Sequence, residues 1–273
     1  MTPTRPSTRR TLLCGIATSA AISVSGCFNR SETGSEVGWD NPTFEDISVD
    51  GTELVLEFDD DASVDQVNVI DPNGELYTEL SVPAGVSRET VEIGTSYQPG
   101  EYEVVALVES NEQDIQTVNI EPDIQITDLR LGRNHPDEMF EGASDNEIRS
   151  EAILTLENTG TGPDAATRLS FEGDIPRETP SDYDESGIQD IEDDVSRYAD
   201  AVDLPPGEEI FLYSRRRPFS SASERVSCTH STEEGVFDVA VNTTNRDEPI
   251  TETFSVSYTG ENLVECDIEV EVI

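Results

Sequence analysis

Apolar and acidic residues alternate one by one along the last ten residues of the chain. Val264, Cys266, Ile268, Val270 and Val272 occupy every second position, and the positions between them are all acidic. A period of two places every apolar side chain on one face of an extended segment. The pattern therefore predicts a half-buried β-strand. The same alternation recurs at Phe237 to Asn242 and at Phe254 to Tyr258.

Comparable segments, separated by turn residues, fill the chain from Trp39 onwards. A first set is predicted at Phe44 to Val49, Glu53 to Phe58, Val64 to Ile70, Glu75 to Val82, Glu89 to Ile93, Tyr102 to Val108 and Ile115 to Ile120. A second set is predicted at Ile124 to Leu131, Ser150 to Glu157, Thr167 to Phe171, Glu209 to Tyr213, Val236 to Asn242, Thr251 to Tyr258 and Glu265 to Ile273. No segment after the N-terminal region shows a helical period. Short strands at this spacing predict an all-β protein with two tandem immunoglobulin-like β-sandwich domains.

The Glu121-Pro122 pair separates the two sets of strands. Proline cannot donate to a strand ladder and keeps the residue before it extended, so a domain boundary is expected here. The predicted domains are residues 39–121 and 122–273. A long acidic insertion, residues 173–206, separates the third and fourth strands of the second set.

The N-terminus has the three-part layout of an export signal. Three arginines and no acid precede a short apolar run that ends at Val24-Ser25-Gly26-Cys27. The run is too short to span about 30 Å of hydrocarbon, so residues 1–26 are predicted to be cleaved. Arg9-Arg10 resembles the twin-arginine export signal, and Val24 to Cys27 resembles a lipobox. The lipoprotein resemblance implies a lipid on the Cys27 sulfur, which would anchor the chain to the outer face of the cell membrane through a flexible tether, residues 27–38.

The chain is strongly acidic, with 59 acidic and 16 basic residues and a net charge of −43. Self-repulsion of this size favours expansion over the compact state. All 16 basic residues are arginine. The acid excess, the missing lysine and the export signal together resemble the proteins of extremely halophilic archaea. The alternative is an acidic, partly disordered bacterial lipoprotein.

Salt separates these two interpretations. Because the Debye length falls from about 10 Å at 0.1 M to about 3 Å at 1 M, added salt screens the repulsion between carboxylates. We expect the melting temperature to rise steadily between about 0.1 and about 3 M salt. A thermal melt monitored by circular dichroism measures it, and a flat or falling curve would count against the halophilic interpretation.

One stretch of the second domain carries a family resemblance. Leu156-Glu157-Asn158-Thr159-Gly160-Thr161-Gly162-Pro163 and Leu204-Pro205-Pro206-Gly207 resemble the strand end and the turn of CARDB-type cell-surface adhesion modules. The resemblance covers about residues 122 to 260 and implies a β-sandwich. Gly160 and Gly162 can take positive φ after the strand. The first domain resembles, more loosely, Ig-like or PKD-type surface modules.

Cys228 and Cys266 remain as a pair once Cys14 leaves with the signal and Cys27 takes the lipid. Both lie in the second domain, in a compartment that permits disulfides. A bridge between them is predicted, and two buried free thiols are the alternative. In the chain-entropy model, the bridge would contribute roughly 3 to 4 kcal/mol.

The sequence predicts neither catalytic residues nor a cofactor or metal. The two histidines, His135 and His230, have no nucleophile motif beside them, and no phosphate loop or zinc-protease motif occurs. Asp59-Asp60-Asp61 and Asp190 to Asp194 could hold calcium through loop oxygens, but neither has the ligand spacing of known calcium loops. A solvated acidic face is the alternative interpretation.

Arg215, Arg216 and Arg217 form a dense basic cluster. Since the overall field repels polyanions, a nucleic-acid partner is not expected. The hypothesis is an internal salt-bridge cluster with the acidic stretch Asp182 to Asp194, because guanidinium groups suit carboxylates. Asn29 and Asn242 each begin an N-glycosylation triplet.

Two functional classes remain open. The favoured one is a lipid-anchored, non-catalytic binding, adhesion or spacer module of the cell envelope, whose partners would be the membrane and other envelope proteins or glycans. The alternative is an extracellular hydrolase, or an accessory subunit of a transporter, that uses the 173–206 loop. A cleft with convergent polar groups beneath that loop would favour the alternative.

Overall fold

The computed structural model describes residues 43–191, 198–221, 225–262 and 264–273. The predicted signal peptide and tether, with Arg9, Arg10, Cys27 and Asn29, lie outside these residues. The first seven strands are β1 (Phe44–Asp50), β2 (Glu53–Phe58), β3 (Gln66–Ile70), β4 (Leu76–Ser81), β5 (Arg88–Glu92), β6 (Gly100–Val108) and β7 (Asn111–Ile120). The next eight are β8 (Ile124–Leu131), β9 (Ala152–Asn158), β10 (Asp164–Gly173), β11 (Val202–Leu204), β12 (Glu209–Tyr213), β13 (Glu233–Thr243), β14 (Ile250–Thr259) and β15 (Asp267–Val272).

The two sets of strands share one topology. In each set the first, second and fifth strands form a three-stranded antiparallel sheet, β1-β2-β5 and β8-β9-β12. The fourth, third, sixth and seventh strands form the facing sheet in that order, β4-β3-β6-β7 and β11-β10-β13-β14, and β15 extends the second of these beyond β14. Two antiparallel sheets connected in this way form an immunoglobulin-like sandwich. The structure therefore confirms the predicted all-β fold.

Each pair of sheets encloses its own hydrophobic core. The first core draws on strands up to Ile120 and the second begins at Ile124, so the two fall on either side of Glu121-Pro122. Period-two burial is clear in β13, where Phe237, Val239 and Val241 are buried and the residues between them are not. In the second core the ring of Phe237 packs edge-on against Phe219 and is stacked with Phe254, with centroid distances of 5.9 and 5.6 Å.

The second sandwich departs from the prediction in two places. The stretch 173–206 is not one uninterrupted insertion, because β11 lies inside it and pairs with β10. In this pairing Asp164 of β10 lies opposite Leu204 of β11. The second domain is also not free of helix. It contains a 3-10 turn at Pro136–Glu138 and the helix α1 at Asp145–Ser150. Within the described residues, no helix is long and apolar enough to cross a bilayer.

Candidate functional site

The arginine cluster forms the centre of a partly buried ionic network at one end of the second sandwich. Arg215 and Arg217 approach the Glu147 carboxylate at 3.7 and 3.4 Å, and Arg217 approaches Glu151 at 3.8 Å. These side chains are 28% exposed or less, so the pairs are shielded from water more than ordinary surface salt bridges. The network joins the segment after β12 to helix α1.

The described partners of these arginines lie on helix α1 and in the insertion. Arg215 and Arg217 pair with acids of α1 and of the residue after it. Residues 192–194 of the acidic stretch that was expected to pair with the arginines lie outside the described residues. The insertion contributes an aromatic ring: the Arg216 guanidinium lies 4.5 Å from the ring centroid of Tyr183. A stacked guanidinium keeps its charge while it shields apolar surface, so the insertion is bound through cation–π contact.

Helix α1 is short, and its first turn is fixed by a capping box. The Ser144 side chain accepts from the Glu147 backbone amide, while the Ser144 amide donates to the Glu147 carboxylate at 2.7 Å. Glu147 therefore caps the helix and pairs with two arginines at once. The Ser144-x-x-Glu147 spacing is a recognised helix-start signal, and it could have located this helix and its acid from the sequence.

The charges around Glu147 and Glu151 move their pKa values in opposite directions. Burial raises the pKa of Glu147, but hydrogen bonds from Ser144 and the nearby arginines outweigh it and leave the pKa below its ordinary value. Burial, with the charge of Glu147, raises the pKa of Glu151 to about 8. Neither carboxyl oxygen of Glu151 accepts a hydrogen bond from the described residues. Burial therefore favours the neutral, protonated form of the Glu151 side chain.

The disulfide and Arg133 hold the same end of the sandwich together. Cys228 and Cys266 are joined, with their Cα atoms 5.9 Å apart. The bridge ties the segment before β13 to the start of β15. The Arg133 guanidinium donates to the carbonyl oxygens of Cys266 at 2.9 Å and Phe219 at 3.2 Å, and it also donates to the Arg149 carbonyl.

A second polar cluster lies where the two sandwiches meet. The Tyr97 hydroxyl in the first donates to the Pro163 carbonyl in the second at 2.9 Å. The Asn245 amide donates to Thr95 at 3.2 Å and to Pro163 at 3.3 Å, so it bridges the two domains. Buried Asp164 accepts from the backbone amides of residues 244 and 245 and holds this turn in place.

Gly160 and Gly162 belong to this junction. Neither has positive φ, so a left-handed backbone is not the reason for glycine at these two positions. A Cβ atom on Gly160 would lie 2.3 Å from the Glu121 carbonyl oxygen, and one on Gly162 would lie 2.2 Å from the Tyr97 hydroxyl. The two positions require glycine because the interdomain connection passes directly over them.

The remaining predicted residues do not converge on one site. Asn242 is half-buried in β13, opposite Arg168 of β10. His135 is half-buried and contacts Glu138 at 3.1 Å, and His230 is exposed. Asp59 caps its own turn by accepting from the Asp61 amide. Over the described part of the chain, no group of three or more His, Cys, Asp or Glu side chains is placed to hold a metal ion.

Comparison with known proteins adds no family. No family model and no curated protein matches the chain. A two-domain fibronectin type III segment of chicken tenascin aligns at 12% identity and TM-score 0.27, over 84% of this chain and 98% of that one. The human OSCAR ligand-binding domain aligns at 10% identity and TM-score 0.21, over 83% of this chain and 92% of that one. A glycosyl hydrolase family 2 member from Bacteroides cellulosilyticus aligns at 15% identity and TM-score 0.21, over 79% of this chain but only 25% of the hydrolase. Scores this low carry no functional argument, and the fold rests on the strand pairing described above.

Proposed function

We propose that this chain is a lipid-anchored, non-catalytic module of the outer cell surface, in which two sandwiches at a fixed angle bind or space partners in the envelope. The membrane is reached through a lipid on Cys27, and other envelope proteins or glycans are the partners. The lipobox-like Val24-Ser25-Gly26-Cys27 and the twin arginines support export and lipid anchoring. The polar junction between the sandwiches supports the spacing role and is the observation that carries the proposal.

The junction limits interdomain motion in two ways. The backbone amide of Thr159 donates to the Asp123 carbonyl oxygen at 2.9 Å, and that of Thr161 donates to the Glu121 carbonyl oxygen at 2.8 Å. Both acceptors belong to the connection between the domains. In addition, Tyr97 and Asn245 bond across the domains. Interdomain contacts normally allow relative motion unless they are extensive. Here hydrogen bonds to the connection and across it hold the domain angle, which a spacer requires.

Removing the bonds across the junction should release the angle. We expect the Tyr97→Phe and Asn245→Ala double variant to broaden the distance distribution between one spin label on β4 and one on β14, because both removed groups bond across the domains. Pulsed electron spin resonance on the full chain measures this distribution. Tyr77→Phe is the matched control, since its hydroxyl bonds to Ile93 within the first sandwich. A distribution in the unmodified protein as broad as in the double variant would rule out a fixed spacer.

The lipid anchor is tested separately at Cys27. We expect Cys27→Ser to move the protein from the detergent phase to the aqueous phase in a detergent partition assay, because a serine hydroxyl does not take the thioether-linked lipid. Arg9→Lys with Arg10→Lys should retain the uncleaved chain inside the cell. Mass spectrometry of the N-terminal peptide shows whether the chain is cleaved and whether it carries lipid. A protein that still begins at Met1 at the cell surface, without lipid, would refute the anchor while leaving the spacer hypothesis intact.

A further inference from the structure

Strand β15 forms one edge of the larger sheet of the second sandwich. In the part of the chain that the structure describes, it pairs with β14 and with no other strand. The Ile273 amide donates to the Thr253 carbonyl at 3.2 Å, on the β14 side. Because alternate residues of a strand bond to opposite sides, the backbone groups of Val270 and Val272 point away from β14.

Only one end of this edge is closed. The side-chain amide of Asn134, in the loop after β8, donates to the Ile268 carbonyl at 2.8 Å. No other described residue forms a hydrogen bond with the outward backbone groups of Val270 or Val272. An unpaired strand edge of this kind is a template for another strand.

An apolar cleft of about 130 Å³ lies beside the open end of the edge, between β15 and β8. Ile126 of β8 and Phe254 of β14 contribute to its lining. Val272 also lines it and is 63% exposed, although it lies on the same face of β15 as the buried Ile268. The core of the second sandwich is therefore uncovered at this point, and an apolar side chain of an added strand would cover it.

The other face of β15 is acidic. Glu269 and Glu271 are exposed there, and Glu252 lines the cleft. None of these three acids forms a salt bridge with a described residue. Asp128, which also lines the cleft, is already paired with Arg130. The charge that an added strand would meet is therefore negative.

We infer that β15 accepts an extended segment of a partner protein as an added strand, and that apolar and basic residues alternate in this segment. Its apolar side chains would pack towards the cleft, and its basic side chains would lie beside Glu269 and Glu271. A second copy of this chain fits poorly, because pairing two β15 edges would place the acids of both copies together. The inference goes beyond the spacer role and depends on neither the lipid anchor nor the domain angle.

A short peptide, acetyl-Thr-Val-Arg-Val-Arg-Val-Thr-amide, tests the edge by isothermal titration calorimetry on the full chain at one fixed ionic strength. We expect it to bind at least tenfold more tightly than the analogue with glutamate in place of arginine. N-methylation of all valines, or of both arginines, removes the amide donors from one or the other edge of the peptide. One of these two peptides should lose about tenfold or more in affinity and the other should bind nearly as well as the parent, since only one edge faces β15.

Equal effects of the two methylated peptides would overturn the inference, because attraction by charge alone does not distinguish the edges of the peptide. Absence of binding at about 1 mM of the arginine peptide would overturn it as well.

Hydrogen exchange locates the added strand. The amides of Val270 and Val272 should exchange more slowly when the arginine peptide is added, and those of the edge strand β4 should not change. If the two β15 amides slow instead with rising protein concentration and without peptide, a second copy occupies the edge and the inference is wrong.

Substitution of the acids tests the charge of the partner. Glu269→Gln with Glu271→Gln should weaken binding of the arginine peptide roughly fivefold, because it removes two cross-strand ion pairs. Glu101→Gln with Glu103→Gln is the matched control, since both acids are exposed on β6 of the first sandwich and the change in net charge is the same. Equal losses in the two double variants would refute the site.

Discussion

Replacing Glu151 by glutamine should make the protein more stable above neutral pH. The Glu151 side chain is fully buried, and its nearest cation, the Nε atom of Arg217, is 3.8 Å away. The ionised carboxylate is therefore poorly compensated, which agrees with the rise of its pKa to about 8. Glutamine keeps the shape of the side chain and never ionises, so the variant avoids the cost of burying the charge.

The sign of the pH dependence follows from proton linkage. The folded protein holds the Glu151 proton more tightly than the unfolded chain, whose pKa is near the ordinary 4.5. The contribution of this group to stability is therefore complete below pH 4.5 and is lost as the pH rises towards 8. The loss is of the order of 5 kcal/mol, since each pKa unit corresponds to about 1.4 kcal/mol.

The measurement is the difference in unfolding free energy between Glu151→Gln and the unmodified protein, from urea titrations across pH 4.5 to 8.5 in constant high salt. Taking the difference cancels the repulsion among the other carboxylates. The difference should be small at the acidic end and grow to several kcal/mol at the basic end. A difference that stays constant with pH would mean that Glu151 does not hold its proton in the folded state.

Glu147→Gln is the matched comparison because the two acids share the same arginines. The pKa of Glu147 lies below its ordinary value, so its carboxylate stabilises the folded protein above pH 4.5 and that stability is lost as the pH falls. Its substitution should therefore destabilise the protein at neutral pH. Opposite effects from two neighbouring glutamates would also exclude a general response to the removal of one negative charge.

The strands were predictable because burial of one face leaves a periodic trace in the sequence. Glu53 to Phe58, Ile124 to Leu131 and Glu209 to Tyr213 have the bounds expected from alternation. Strand β11 escaped prediction because three residues are too few to show a period. Helix α1, with six residues, is likewise too short for a 3.6-residue pattern, and only its capping box marks it.

The contacts within the candidate sites could not be derived from the sequence in the same way. Arg217 lies 70 residues from Glu147, and although the capping box marks that acid as a helix-start residue, nothing in the sequence shows that a distant arginine pairs with it. The need for glycine at positions 160 and 162 comes from the connection that crosses them, so it depends on the junction and not on a turn. The sequence predicts which residues face inward, whereas pairing between distant loops depends on how the sheets place them.

Arg133 connects several distant segments of the second sandwich. Its guanidinium joins the loop after β8 to helix α1 through Arg149, to the segment after β12 through Phe219, and to the residue before β15 through Cys266. Burial lowers the pKa of this guanidinium, which reflects its removal from water. The planar fork of arginine can donate in several directions at once, whereas lysine offers one compact ammonium group.

We expect Arg133→Ala to lower the free energy of unfolding by about 3 to 5 kcal/mol, because a buried carbonyl that loses its donor costs about 1 to 3 kcal/mol. Arg133→Lys should recover only part of this loss. Urea titration is the suitable measurement, since guanidinium chloride would itself screen the acidic chain. Arg88→Ala is the control, because its ion pair with Asp50 is 3.9 Å long and exposed and should contribute less than about 1 kcal/mol. If Arg133→Ala costs no more than Arg88→Ala, the end of the second sandwich is held by the disulfide and the core alone.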